Sequence, residues 1–163
     1  MIRPERPEDA EAIASLTSAA FAGAAHSDGN EAQIVAGLRE AGVLPLSLVT
    51  QRDGQLIGHI AFSPVQIGDC DAGWYGLGPM SVAPECQGQG IGSALVEAGL
   101  HRLREASAQG VVVLGDPAFY RRFGFRAGLG PHFAGVPESY FMALAFTASV
   151  PEGPVSYHPA FFV

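Results

Sequence analysis

The chain has no lysine: all nine of its basic residues are arginines, scattered along the sequence. A nucleic-acid binder shows a clustered basic face, and that class is not expected here. Cysteine is equally scarce. Cys70 and Cys86 are too few for a disulfide framework or a zinc site, and are read as free thiols. His26, His59, His101, His132 and His158 have no metal-ligand spacing, so no metal is expected. No apolar run approaches the ~18 residues of a membrane helix. The start, Met1 to Asp9, is charged and lacks the apolar segment of a signal peptide. A cytoplasmic protein, away from membranes, is the expectation.

What is present is a core. Hydrophobic residues make up 48% of 163 residues and charged ones 15%, enough for one packed domain. The net charge of −7 favours a small or cationic substrate.

Ile2 and Arg3 start a short strand, and Pro7-Glu8-Asp9 opens a helix with apolar spacing at Ile13, Leu16, Ala20 and Phe21, ended by Gly23. A second helix, Glu31 to Ala41, buries Ile34, Val35 and Leu38. Leu46 to Thr50 is a strand. Asp53-Gly54 signals a hairpin into a long strand, Gln55 to Ile67, which Pro64 is placed to interrupt. A strand, Trp74–Val82, then enters a glycine-rich turn. A long helix follows, Gln89 to Gln109, with Gly110 as its cap. Val111 to Leu114 reads as a strand covered on both faces. Asp116 and Pro117 fit the N-cap and first position of a short helix, and Tyr140 to Phe146 the last core strand. This order gives a mixed α/β sheet with helices on both faces.

The turn is the informative segment. Gly88, Gly90 and Gly92 strip side chains from it, so backbone N–H groups can converge on an anion at the start of the helix. A Walker A loop would need Lys beside Ser/Thr, and Gly92-Ser93 has none. A dinucleotide fingerprint needs its third glycine one position later and an acid ~20 residues on. Neither is present. Gln87-Gly88-Gln89-Gly90-Ile91-Gly92 instead matches Q/R-x-x-G-x-G/A. Downstream, Phe119-Tyr120-Arg121-Arg122-Phe123-Gly124-Phe125 carries F-Y-x-x-x-G-F.

These two signatures, in this order, resemble the GCN5-related N-acetyltransferase (GNAT) superfamily. Gly58 to Val65, Val113 to Pro117 and Phe141 to Leu144 resemble its YhbS-like branch. The resemblance covers most of residues 1–146, with 147–163 as an extension packed on the same domain. It implies the acyl-CoA N-acyltransferase fold: a mostly antiparallel, splayed central sheet with helices on both faces. It also implies acetyl-CoA as co-substrate. Met80, Ser81 and Val82 would hold the pantetheine arm, with Pro79 at a bulge that opens the strand. Gln87, Gly88, Gln89, Gly90, Ile91, Gly92 and Ser93 would bind the pyrophosphate. Phe119, Tyr120 and Arg122 would flank it, Arg121 and Arg122 reading equally well as a solvated face.

The implied reaction is direct acetyl transfer to a primary amine in a ternary complex. Tyr120 matches the acid that protonates the departing thiolate, and a phenol keeps its proton at neutral pH. Glu31, His26, Asp28 and Asp116 are the candidate bases, Glu31 first, although Asp116 is better explained as a cap. A water chain could replace them. Cys86 reads as a small packed thiol and His59 as a satisfied inter-strand histidine. A non-catalytic acyl-CoA sensor and transfer of another short acyl group are the alternatives. The end Phe161-Phe162-Val163 leaves a homodimer open.

Overall fold

A computed structural model of the chain describes residues 1–24 and 27–162. A seven-stranded sheet forms its spine, in the order β1 (Ile2–Pro4), β2 (Leu46–Arg52), β3 (Gln55–Pro64), β5 (Trp74–Val82), β6 (Gly110–Leu114), β9 (Phe141–Ala145) and β7 (Arg126–Ala127). Within it only β5 and β6 run parallel. A small sheet pairs β10 (Gly153–Ser156) with β4 (Gln66–Ile67) and β8 (Pro131–His132).

Alternation along the strands assigns the helices to faces. Val49 and Ile57 pack against Ile13, Leu16 and Val35 of α1 (Ala10–Phe21) and α2 (Glu31–Glu40). Leu48, Ile60 and Phe62 point the other way, into the main cluster with Leu95 and Val96 of α3 (Ile91–Glu105) and Tyr120 of α4 (Pro117–Tyr120). Among the described residues no helix is long and apolar enough to cross a membrane.

Local chemistry explains the boundaries. Asp53 and Gly54 have φ of 52° and 78°, the left-handed pair of a two-residue hairpin, with Arg52 facing Gln55. Pro64 ends β3 rather than interrupting it, and the expected long strand divides at Val65, since β4 joins the small sheet. Helix α3 is shorter than its sequence pattern at both ends. Gly90 is its N-cap and Ser107 adopts φ 64° just past its end. Gln109 is drawn out of the helix, its N–H donating to Gly73 O at 2.7 Å. Gly110 therefore opens β6 rather than capping the helix.

The feature that positions the site is a fork. The β5–β6 ladder covers Trp74, Tyr75 and Gly76 against Gly110, Val111 and Val112, and goes no further. β5 continues on β3 as far as Val82, and β6 on β9 as far as Leu114. From Leu77 onward one edge of β5 is open. A bulge sits there: the register passes from Ile60↔Met80 to Phe62↔Leu77, so Ala61 faces both Gly78 and Pro79.

Under α2 lies a buried polar chain. Arg39 donates to Glu5 at 2.7 and 3.1 Å. Ser47 Oγ contacts the same carboxylate and lies 2.8 Å from His59 Nε2. Burial of Glu5 pushes its pKa up, but the bonds from Arg39 and Ser47 outweigh it and hold it below the usual range. His59 is only half satisfied, since its buried Nδ1 has no partner among the described residues.

The chain returns after β9 to pack on the same body. β10 lies beside β4, and Ala160 joins Ile34 and Leu38 of α2. Phe161 turns inward against Tyr157, at 5.0 Å between ring centroids, while Phe162 is 68% exposed.

Candidate active site

Alternation decides which groups of β5 face the fork. Ala83 N donates to Ile57 O at 2.8 Å. In an antiparallel ladder the N–H groups of 81 and 83 therefore face β3, and those of Met80 and Val82 face the open edge. Val82 O shares that edge, where Gln87 Nε2 donates to it at 3.2 Å.

The open edge leads into the glycine turn. Gly90 has φ 83° and nothing near its absent side chain, so the first turn of α3 presents its unpaired N–H groups to an unobstructed surface. A β-branched residue would be strained in that conformation. Arg122 stands beside this turn. Its guanidinium donates to Ser93 Oγ at 3.3 Å and stacks 4.6 Å above the Phe119 ring. One cavity of about 560 Å³ joins these parts. It is lined by Met80, Val82, Gln87, Gly88, Gly90, Ile91, Gly92, Ser93, Phe119 and Arg122. Bare backbone donors, a guanidinium and an apolar slot together suit a diphosphate carrying a thin, polar–apolar arm.

Three residues named with that set lie elsewhere. The Ser81 side chain is buried opposite His59, its Oγ without a partner among the described residues. Gln89 is exposed and accepts from Arg52 Nη1 at 3.2 Å. Tyr120 lies one ring behind the cavity wall, edge-on to Phe119 at 4.9 Å and to Phe125 at 5.8 Å. Burial pushes its phenol up to about 12, so it holds its proton at every working pH.

Glu31 lines a separate cavity of about 290 Å³ that shares Phe21 with the main one. Ser27 Oγ donates to its carboxylate, 2.7 and 2.8 Å from the two oxygens. Asp116 is the N-cap of α4, accepting from Ala118 N at 2.9 Å. Asp28 is exposed, and His26 lies outside the described residues. Arg121 is exposed at the end of α4 and does not line the cavity. Cys86 is buried in the wall of the main cavity. Among the described residues no group of His, Cys, Asp and Glu could hold a metal ion.

The sequence pattern missed part of the wall. Ala20 and Phe21 share the apolar period of α1 but are half-buried and line the cavity. Periodicity identifies a helix face without saying whether protein or ligand covers it. Arg52, which ties the β2–β3 hairpin to the turn through Gln89, gave no signal.

Comparison with known proteins agrees with this geometry. The family model described as "Acetyltransferase (GNAT) domain" matches residues 46–127, from β2 through β7. The N-acetyltransferase YhbS of Escherichia coli K12 is 46% identical over 126 residues, 77% of this chain and 72% of that protein. A GNAT family acetyltransferase from Brucella melitensis, solved with acetyl-CoA, is 52% identical with a TM-score of 0.89, covering 99% of this chain and 97% of the other. The structure of E. coli YhbS with CoA gives a TM-score of 0.91 at 38% identity, covering 100% and 92%. The chain belongs to the GNAT acetyltransferases, in their YhbS-like branch.

Proposed function

We propose that the chain transfers an acetyl group from acetyl-CoA to a primary amine by direct attack within a ternary complex. One observation carries this reading: a single cavity links the open edge of β5 to the bare first turn of α3. The Brucella and E. coli relatives, solved with acetyl-CoA and CoA, support the donor.

In this reading the first-turn N–H groups of α3 and Arg122 hold the pyrophosphate, and the Met80 and Val82 N–H groups hold the pantetheine arm. A backbone N–H on the open edge also polarises the thioester carbonyl. The amine nitrogen bonds to the carbonyl carbon, the C–S bond breaks, and Tyr120 gives its proton to the departing sulfur. The ammonium proton of the tetrahedral adduct leaves to Glu31 or to water, and solvent reprotonates the tyrosine. Burial serves Tyr120 here, because a raised pKa keeps the acid loaded. Cys86 takes no covalent part. Its neighbour is Arg52 Nη1 at 4.0 Å, which is no base.

The test is CoA release from acetyl-CoA across a panel of primary amines, wild type against Tyr120→Phe. The variant is expected to lose roughly 10²–10⁴ in kcat while acetyl-CoA affinity changes little. Equal turnover would reduce Tyr120 to a packing residue. Acetyl-CoA binding without turnover on any amine would favour a sensor.

A further inference from the structure

The buried polar chain under α2 has a direction. Burial of Glu5 is outweighed by its bonds from Arg39 and Ser47, so its carboxylate is ionised at neutral pH. An ionised carboxylate only accepts, and the Ser47 hydroxyl therefore gives its single proton to Glu5. Ser47 Oγ is left as an acceptor for His59 Nε2, 2.8 Å away. The imidazole proton thus belongs on Nε2, which also lies 4.0 Å from Glu5 Oε1. Burial lowers the His59 pKa to about 4. At neutral pH the ring is uncharged, and Nδ1 carries a bare lone pair.

That lone pair is fully buried and has no partner among the described residues. Directly across the β3–β5 ladder is Ser81, itself 1% exposed. Its Oγ also lacks a partner among the described residues. One register pair therefore brings an acceptor and a hydroxyl together, both buried and both unsatisfied by protein. Groups of this kind are the usual seats of internal water. The charged end of the chain differs, because Glu5, Arg39 and Ser47 line a cavity of about 400 Å³.

The pair lies where β5 lacks support. From Leu77 onward β5 is paired with β3 alone. Ser81 stands between Met80 and Val82, whose N–H groups face the open edge, and the Val82 N–H belongs to the peptide unit that begins at Ser81. Holding the Ser81 side chain holds the plane of that unit. We propose that one internal water bridges His59 Nδ1 and Ser81 Oγ, and that His59 is thereby a positioning residue for the open edge of β5. The water donates to Nδ1 and accepts from the Ser81 hydroxyl. His59 neither touches the donor nor moves a proton. The proposal rests on the reading in which the Met80 and Val82 N–H groups hold the pantetheine arm.

The experiment uses the full chain, with CoA as the probe. Long-range ¹H–¹⁵N NMR of histidine-labelled protein at pH 7 reads the His59 tautomer, assigned through His59→Gln. A protonated Nε2 and a bare Nδ1 are expected. Ser81→Ala should shift the Nδ1 signal and raise the CoA Kd, read by calorimetry, roughly three- to tenfold, the worth of one neutral hydrogen bond. Ser81→Thr keeps the hydroxyl and should restore both. A serine that only packs would lower the thermal midpoint and move neither. A proton on Nδ1, or an Nδ1 signal unmoved by Ser81→Ala, overturns the bridge. A shifted Nδ1 signal with unchanged CoA affinity overturns the positioning role. Gly90→Val serves as the control for the donor site: unchanged CoA affinity in that variant defeats the donor reading itself, whatever Ser81→Ala does.

Discussion

β5 contains two different strands end to end. Its first part, Trp74 to Gly76, is paired on both sides, to β6 and to the end of β3 with Val65 just beyond it. Trp74 there is 1% exposed, and the ring of Tyr157 fills the space above Gly76. The second part, Leu77 to Val82, is paired with β3 alone, begins in a bulge, and lines a cavity with Met80 and Val82. Nothing in composition separates the two. What separates them is where β6 turns away. A backbone edge left without a partner is a liability in a scaffold. Inside a domain, with a helix N-terminus at its far end, the same edge lines an open cavity instead.

This contrast can be broken from either side. The largest effect is expected at the open end. Gly90→Val places a branched side chain at φ 83° over the first turn of α3. Acetyl-CoA affinity should fall by more than ~2 kcal/mol, since several anion hydrogen bonds go together, while the thermal midpoint moves far less. Unchanged affinity in a folded variant would remove the turn from the site. Gly76→Ala attacks the paired end. The new methyl meets Tyr157 and Val65 at 2.7 and 3.1 Å. Overpacking of this kind costs about 1–3 kcal/mol. Here thermal stability should fall while acetyl-CoA affinity holds, the reverse of the first variant.

A third prediction concerns acid. Burial pulls the His59 pKa down to about 4, the nearby Glu5 opposing and Arg39 adding to it. The unfolded imidazole titrates near 6.5. Between those values the unfolded chain binds the extra proton, so stability should decline as pH falls from ~6.5 towards ~4. The lowered Glu5 pKa acts in the same sense, at the acid end. Urea melts at several pH values check this, and His59→Gln should flatten the upper part of the decline. The smallest effect is expected at Glu31. Glu31→Gln should slow turnover several-fold if the carboxylate takes the amine proton. An unchanged rate would assign that proton to water.

What the sequence made legible was local. The Asp53-Gly54 hairpin, the Asp116 cap and the bare turn before α3 each depend on a few neighbouring residues and their backbone angles. The short helix that carries Tyr120 was legible through its motif. The buried chain from Glu5 through Ser47 to His59 was not, because its members are brought together only by strand register. The small sheet escaped notice for another reason: β4 and β8 are two residues each, too short to carry a period. The packing of Tyr157 on Gly76 was not legible either, since the two lie far apart in the chain and meet only through the fold. Helix ends were misjudged where tertiary bonds intervened, as at Gln109.

The small sheet also sets a difference in local stability. β10 is held by two residue pairs on each side, and two of the residues involved, Pro131 and Pro154, have no N–H to give. Strands held so lightly open at far lower free energy than the centre of a seven-stranded sheet. The amides around Val155 should therefore exchange with solvent well before those of β3 and β6. Deuterium uptake followed segment by segment checks this order.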